Sequence, residues 1–187
     1  MEYVYHGSKI KGLEKIIKRS STHQKEWVYA SLSKVAAITF IRNCSGLFHC
    51  YLDGSGTKES PIILVERKAG MFNKMFNLSG SLYTLSSAGF ENGKTEWDGE
   101  VVSEHEEAVL SEEHIDNVLN KLAELMSNNE VKLYYYPDRP KFIPIDNSDL
   151  IPLVIDLYKK GFDRIIDEFL QIYPELEEKT NREVGAK

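Results

Sequence analysis

The chain has 187 residues, 42% hydrophobic and 28% charged, a balance that supports one folded domain and excludes a collagen-like or disordered chain. No apolar run reaches the ~18 residues of a membrane span, and Met1-Glu2-Tyr3 lacks the basic and apolar regions of a secretory signal, so a cytoplasmic protein without membrane partners is expected. Residues 1–100 carry 13 basic and 10 acidic side chains and the remainder 10 basic and 19 acidic, an acidic excess that argues against broad binding to duplex nucleic acid.

Strands are expected over Tyr3–His6, Trp27–Ser31, Leu47–Leu52, Pro61–Arg67, Ser81–Leu85, Glu100–Ser103 and Val131–Tyr136. Turn chemistry at Asp53-Gly54-Ser55-Gly56, Leu78-Ser79-Gly80 and Glu91-Asn92-Gly93 separates several of them. Between the second and third, Ser33–Arg42 places Val35, Ala36, Ile38 and Thr39 at helical spacing behind Ser33 as N-cap. Ser111-Glu112-Glu113-His114 opens an expected amphipathic helix with Ile115, Val118, Leu119, Leu122 and Leu125 on one stripe, ending at Asn128-Asn129. Beyond Tyr136-Pro137-Asp138-Arg139-Pro140 the pattern turns helical. Asn147 or Ser148 caps a helix carrying Leu150, Leu153, Val154 and Leu157, and Gly161 breaks it. A second helix carries Phe162, Ile165, Ile166, Phe169, Leu170 and Tyr173 before Pro174, and the polar tail from Glu175 is expected to fray. The expectation is an α+β body over residues 1–140 with a C-terminal helical appendage, residues 141–187, packed on it.

His6 with Gly7 at its shoulder, on a short aromatic and β-branched stretch, suits a strand end that approaches a ligand closely. Lys9, Lys11, Lys15, Lys18, Arg19 and Lys25 follow, and either attract phosphates or form a solvated face. Other signals fail on spacing. Cys44, His49 and Cys50 offer three metal donors but no fourth at zinc spacing, so free thiols and no metal are expected. His105-Glu106 lacks the second histidine of a zinc protease, because position 109 is Val109. Asp53-Gly54-Ser55-Gly56 lacks the Gly-Lys-Ser/Thr ending of a phosphate loop and reads as a hairpin turn. Tyr134-Tyr135-Tyr136 alternates across a strand as a buried edge would, rather than as a platform for single-stranded nucleic acid.

Taken in order, His6-Gly7-Ser8, Tyr29-Ala30, Ser33-Lys34-Val35-Ala36 and Gly99-Glu100-Val101-Val102-Ser103 resemble the ADP-ribosyltransferase superfamily in its poly-ADP-ribose-polymerase-like, diphtheria-toxin-like branch. The matched pieces lie between residues 3 and 104. The resemblance implies a split β-sheet body and NAD as substrate, with no metal. It implies that His6 bonds the adenosine ribose, that Gly7 grips the nicotinamide carboxamide through its backbone, and that Tyr29 stacks on the nicotinamide. Ser8 and Ser31 belong to the same NAD-binding set. A glutamate would bond the nicotinamide ribose and stabilise oxocarbenium-like charge as the glycosidic bond lengthens. Glu100 is the first candidate and Glu104 the second. With Glu106 they share one face if the strand continues that far. The branch often adds a second stacking aromatic near the end of the Ser-Lys-x-Ala helix. By register that position is Ile38, and the nearest aromatic is Phe40.

Two functions follow from different premises. One is NAD-dependent transfer of ADP-ribose to a macromolecular acceptor, protein or nucleic acid, with release of nicotinamide; a close variant uses water as acceptor. The other is a catalytically inactive module of the same fold that docks a partner protein. A histidine beside glycine, a tyrosine in an apolar strand and an acidic cluster are each more often structural than functional, so only their convergence on one open cleft carries the first reading.

Overall fold

The strand that carries His6 runs through the middle of the larger sheet, where Val4 is buried and Tyr5 and His6 are partly covered. The structure is a computed structural model describing residues 2–20 and 25–185. In chain order the elements are β1 (Tyr3–Ser8), β2 (Lys15–Ile16), β3 (Arg19–Ser20), β4 (Glu26–Ser31), α1 (Lys34–Ile38), β5 (Cys50–Asp53), β6 (Ile62–Glu66) and α2 (Met71–Phe76). They continue with β7 (Gly80–Ser86), β8 (Glu91–Asn92), β9 (Glu100–Ser103), β10 (Glu107–Ile115), α3 (Val118–Met126), β11 (Val131–Tyr134), α4 (Ile151–Lys159), α5 (Ile165–Ile172) and α6 (Glu177–Gly185).

The protein is α+β. The larger sheet runs β2-β10-β7-β1-β4-β9-β8, with β3 paired to β4, and all its pairings are antiparallel. The smaller sheet runs β11-β6-β5, with β11 parallel to β6 and β5 antiparallel to it. Period-2 alternation sorts the larger sheet's residues between two faces. Val4, Val28, Ala30 and Val101 pack with Ile16, Tyr83 and Leu85 on one side. Tyr5, Tyr29, Ser31 and Glu100 have the opposite parity and look toward α1. The main core lies on that second side, where Ala36, Ala37 and Ile41 meet Ile62, Leu64, Phe72, Phe76 and Leu122 from the smaller sheet and from α2 and α3.

The C-terminal helices have their own core, built on Val154, Leu157, Ile165, Phe169, Tyr173 and Leu176, and Phe48 from the body enters it. Polar ties reinforce this contact. The Tyr173 hydroxyl donates to the Phe48 carbonyl at 2.6 Å, and Arg67, 3% exposed, holds Asp149 with two hydrogen bonds of 2.7 and 2.8 Å. Arg67 also donates to the Asn147 side chain, whose amide returns a bond to the Arg67 carbonyl.

Several expectations change. Ser111–Ile115 is not the start of a helix but the end of β10. Glu112 there receives hydrogen bonds from the Ser81 and Tyr83 hydroxyls and the Gly12 N–H, contacts only the strand offers. The helix begins at Val118, where the Asn117 side chain accepts from the Asn120 N–H at 2.9 Å. The tail does not fray over its described residues: α6 forms and buries Thr180 completely, while residues 186–187 lie outside the described residues. The segment from Leu47 to His49 turns rather than extends, so the third expected strand begins only at Cys50. β11 stops at Tyr134, leaving Tyr135 and Tyr136 exposed instead of forming a buried edge. The six-residue helix α2 is not visible in the sequence pattern. Among the described residues no helix is long and apolar enough to cross a membrane.

Replacing Arg67 with Met leaves the Asp149 carboxylate without its partner, while Asn147 keeps the bond from Arg139. It should lower the free energy of unfolding by about 3 kcal/mol in urea titrations. A loss within about 1 kcal/mol would show instead that solvent screens the pair.

Candidate functional site

β1 and β4 register at Tyr5↔Ser31 and form no further ladder pair there, so the two strands part beyond that point. Across this opening His6 reaches the Tyr29 carbonyl with Nδ1 at 2.7 Å. A carbonyl only accepts, so Nδ1 carries the proton and Nε2 keeps its lone pair. Burial holds the His6 pKa below 6.5; the carbonyl bond opposes that shift, and the Arg19 charge adds to it. His6 is therefore a neutral imidazole with an acceptor nitrogen available to a ligand.

In this gap lies a cavity of about 80 Å³ lined by Tyr5, His6, Gly7, Tyr29, Ala30, Ser31, Ala37, Phe40 and Glu100. Four elements supply it. Gly7 is fixed by packing: a Cβ there would overlap the Ala37 carbonyl and lie 2.9 Å from Ile41 Cγ1, so any other residue would push α1 off the sheet. α1 itself starts as expected, with the Ser33 hydroxyl accepting from the Ala36 N–H, but it is shorter and ends at Ile38. The Thr39 hydroxyl bonds the Ala36 carbonyl and turns the chain. That turn buries Ile38 in the core and brings Phe40 to the cavity, so the aromatic wall comes from Phe40 and not from the register position.

Glu100 is the first residue of β9, directly opposite Ser31. Gly99 before it is held twice, its carbonyl accepting from the Leu32 N–H at 3.1 Å and the Ser31 hydroxyl at 3.0 Å. The Ser31 hydroxyl also accepts from the Ser33 N–H, so Ser31 lines the cavity but its hydroxyl acts to position Glu100. The Glu100 N–H bonds the Trp97 carbonyl, and the Trp97 ring packs on Phe40 with centroids 5.7 Å apart. One loop thus fixes the carboxylate and one aromatic wall together.

The remaining expected site residues lie elsewhere. Ser8 is not among the lining residues; its hydroxyl accepts from the Ile10 N–H where β1 ends. Glu104 and Glu106 follow the end of β9 at Ser103, so the strand does not carry them onto the Glu100 face. Both are exposed, and Glu106 is ion-paired with Lys15. The six basic residues from Lys9 to Lys25 contribute nothing to the lining, although the Arg19 charge is felt at His6. Tyr5 and Trp97 were missed by sequence reasoning. Tyr5 had a signal, since it stands one residue before His6 on a strand, and its ring carries the Lys34 ammonium 5.4 Å from its centroid.

Chemically the cavity offers one neutral acceptor nitrogen, aromatic walls and one carboxylate, a set suited to a flat polar ring with hydroxyls beside it. No family model, curated protein or solved structure matches this chain.

Titration of the His6 ring followed by NMR should show a pKa below 6.5 and the Nδ1–H tautomer. Because the unfolded chain takes up the proton first, stability should fall as pH drops below 6.5 and level off beneath the folded pKa. His49, also depressed by burial, titrates in the same direction, so His6→Gln should remove only part of that slope in urea midpoints measured against pH. An unchanged slope in His6→Gln would refute the assignment.

Proposed function

We propose that the protein binds NAD and transfers its ADP-ribose to a macromolecular acceptor, releasing nicotinamide. The observation that carries this reading is the meeting of His6, Tyr29 and Glu100 with Gly7 and Phe40 around one cavity, although they are scattered over 95 positions of the chain. The division of the strands into two sheets around α1 supports an ADP-ribosyltransferase-like split-sheet fold.

In this reading the nicotinamide ring enters between the Tyr29 and Phe40 walls, with its carboxamide on the Gly7 backbone. His6 Nε2 accepts from a ribose hydroxyl of the adenosine half. The Glu100 carboxylate accepts from the nicotinamide ribose 2′-hydroxyl and faces the positive charge that develops at the anomeric carbon. The bond from that carbon to the nicotinamide nitrogen breaks, its electron pair leaving with nicotinamide. A lone pair of the acceptor forms the new bond, and the acceptor's proton passes to Glu100 or to water. Excluding water from the aromatic walls strengthens the carboxylate's effect.

A second reading, a catalytically inactive module of this fold that docks a partner protein, is favoured by one observation. The cavity of about 80 Å³ is smaller than the ~300 Å³ at which ligand pockets usually begin. It accepts a ring and not a dinucleotide, so the rest of NAD must lie along the open surface beyond His6, where the Arg19 charge favours its pyrophosphate.

Nicotinamide release from NAD, measured with cell lysate as the source of acceptor, separates the two readings. The wild type should release nicotinamide, Glu100→Gln should lose about 100-fold or more of the rate, and Glu104→Gln should retain it. Absence of both release and NAD binding in the wild type would favour the module.

A further inference from the structure

A larger cleft, of about 370 Å³, shares the Phe40 wall with the first. Its sides are mostly apolar, with Leu47 and Leu52 from the body and Leu150 and Leu153 from the C-terminal helices. This volume falls within the range of about 300–1,000 Å³ typical of small-molecule sites. Two arginines enter it, and their circumstances differ. Arg67 is neutralised by its paired hydrogen bonds to Asp149. The half-buried Arg42 guanidinium lies 5.1 Å from the Phe40 ring centroid, and among the described residues it makes no hydrogen bond and no ion pair.

Arg42 is held in place as well as unpaired. Gly46 packs against its Nη1, and a Cβ at that position would collide with it. Phe40 on one side and the Gly46 backbone on the other confine the planar group, leaving its donors to the cleft. Charged groups withdrawn from water are ordinarily paired. Here burial pulls the Arg42 pKa down, a shift opposed by the neighbouring thiols of Cys50 and Cys44 and, more weakly, by Glu100. The Cys50 thiol, pushed up to about 11, carries no charge at neutral pH. The cleft therefore holds one positive charge that no carboxylate contacts directly, Glu100 acting on it only from a distance, with five rigid donors set among apolar walls.

We propose that this second cleft binds a small carboxylic acid with an apolar body, the carboxylate received by the Arg42 fork and the body lying among the four leucines. A single positive charge matches a monoanion better than a phosphate dianion, and the planar guanidinium matches a carboxylate with two parallel hydrogen bonds. The inference stands whether or not the first cavity binds NAD.

The test uses phenylacetate as probe, with benzyl alcohol as the neutral analogue and phenyl phosphate as the dianionic one. Binding is read from the Arg42 Nε–H resonance in ¹⁵N-edited NMR and from the heat of titration. Phenylacetate should shift that resonance saturably, and benzyl alcohol should not. Arg42→Gln should weaken phenylacetate binding by about tenfold or more, the usual effect of a charge-assisted hydrogen bond. Leu153→Trp leaves Arg42 in place and fills the cleft from its exposed side, so it should abolish binding while the native amide spectrum persists. It therefore reads the same site even if Arg42→Gln fails to fold. No saturable shift, equal binding to either variant, or equal binding of benzyl alcohol would overturn the site. Tighter binding of phenyl phosphate would overturn the carboxylate assignment.

Discussion

The candidate site depends on the parting of β1 and β4 beyond Tyr5↔Ser31. A continued ladder would have closed the gap with backbone hydrogen bonds. Where the strands separate, the Tyr29 carbonyl accepts a hydrogen bond from the His6 side chain. That bond sets the His6 tautomer and leaves Nε2 as the acceptor nitrogen of a ring that lines the cavity. α1 fills the other side of the gap, approaching so closely that residue 7 must lack a side chain. The cavity, the neutral histidine and the glycine are three consequences of one break in strand pairing.

Glu100 is positioned by a different device. It opens β9, where a side chain would otherwise be poorly fixed, but the Gly99 carbonyl is held by two donors and the Trp97 loop is folded beneath it. Trp97 then packs on Phe40, so the carboxylate and the aromatic wall are held by the same few residues. Support of this kind decides whether a carboxylate can act on a developing charge, since geometry loose by an ångström loses most of the electrostatic gain. The Ser31 hydroxyl illustrates the division of labour. It borders the cavity, yet both of its bonds are directed at the backbone that carries Glu100 and α1.

Much of the larger sheet was legible because β1, β4, β7 and β9 are short runs rich in β-branched, aromatic and other apolar residues, several of them set off by turn residues. The Ser33 cap was legible for the same local reason. β10 was not, since Glu112, Glu113 and His114 offer no alternation, and an acidic run before an apolar stripe imitates a helix start. What decides the matter is tertiary: Ser81, Tyr83 and Gly12 all donate to Glu112, and none of them is near it in sequence. The glutamates show the same limit. Spacing put Glu100, Glu104 and Glu106 on one face, but the strand ends at Ser103, a boundary that alternation does not reveal. Phe40 was legible as a residue but not as a position, because α1 ends one turn early and Thr39 redirects the chain.

Arg42 and Arg67 line one cleft, carry the same charge and have opposite meanings. Arg67 meets Asp149 and Asn147, so its charge is answered within the protein and its work is to hold the C-terminal helices to the body. Arg42 meets an aromatic face and a glycine backbone, neither of which neutralises a guanidinium fully, since a cation over a ring recovers only about 0.5–2 kcal/mol. Burying a charge against so little compensation costs stability. The C-terminal helices supply Leu150 and Leu153 to the same cleft, so the contact that Arg67 secures also completes the walls around Arg42. A side chain kept charged, confined and unanswered beside apolar walls is arranged for a partner from outside the chain.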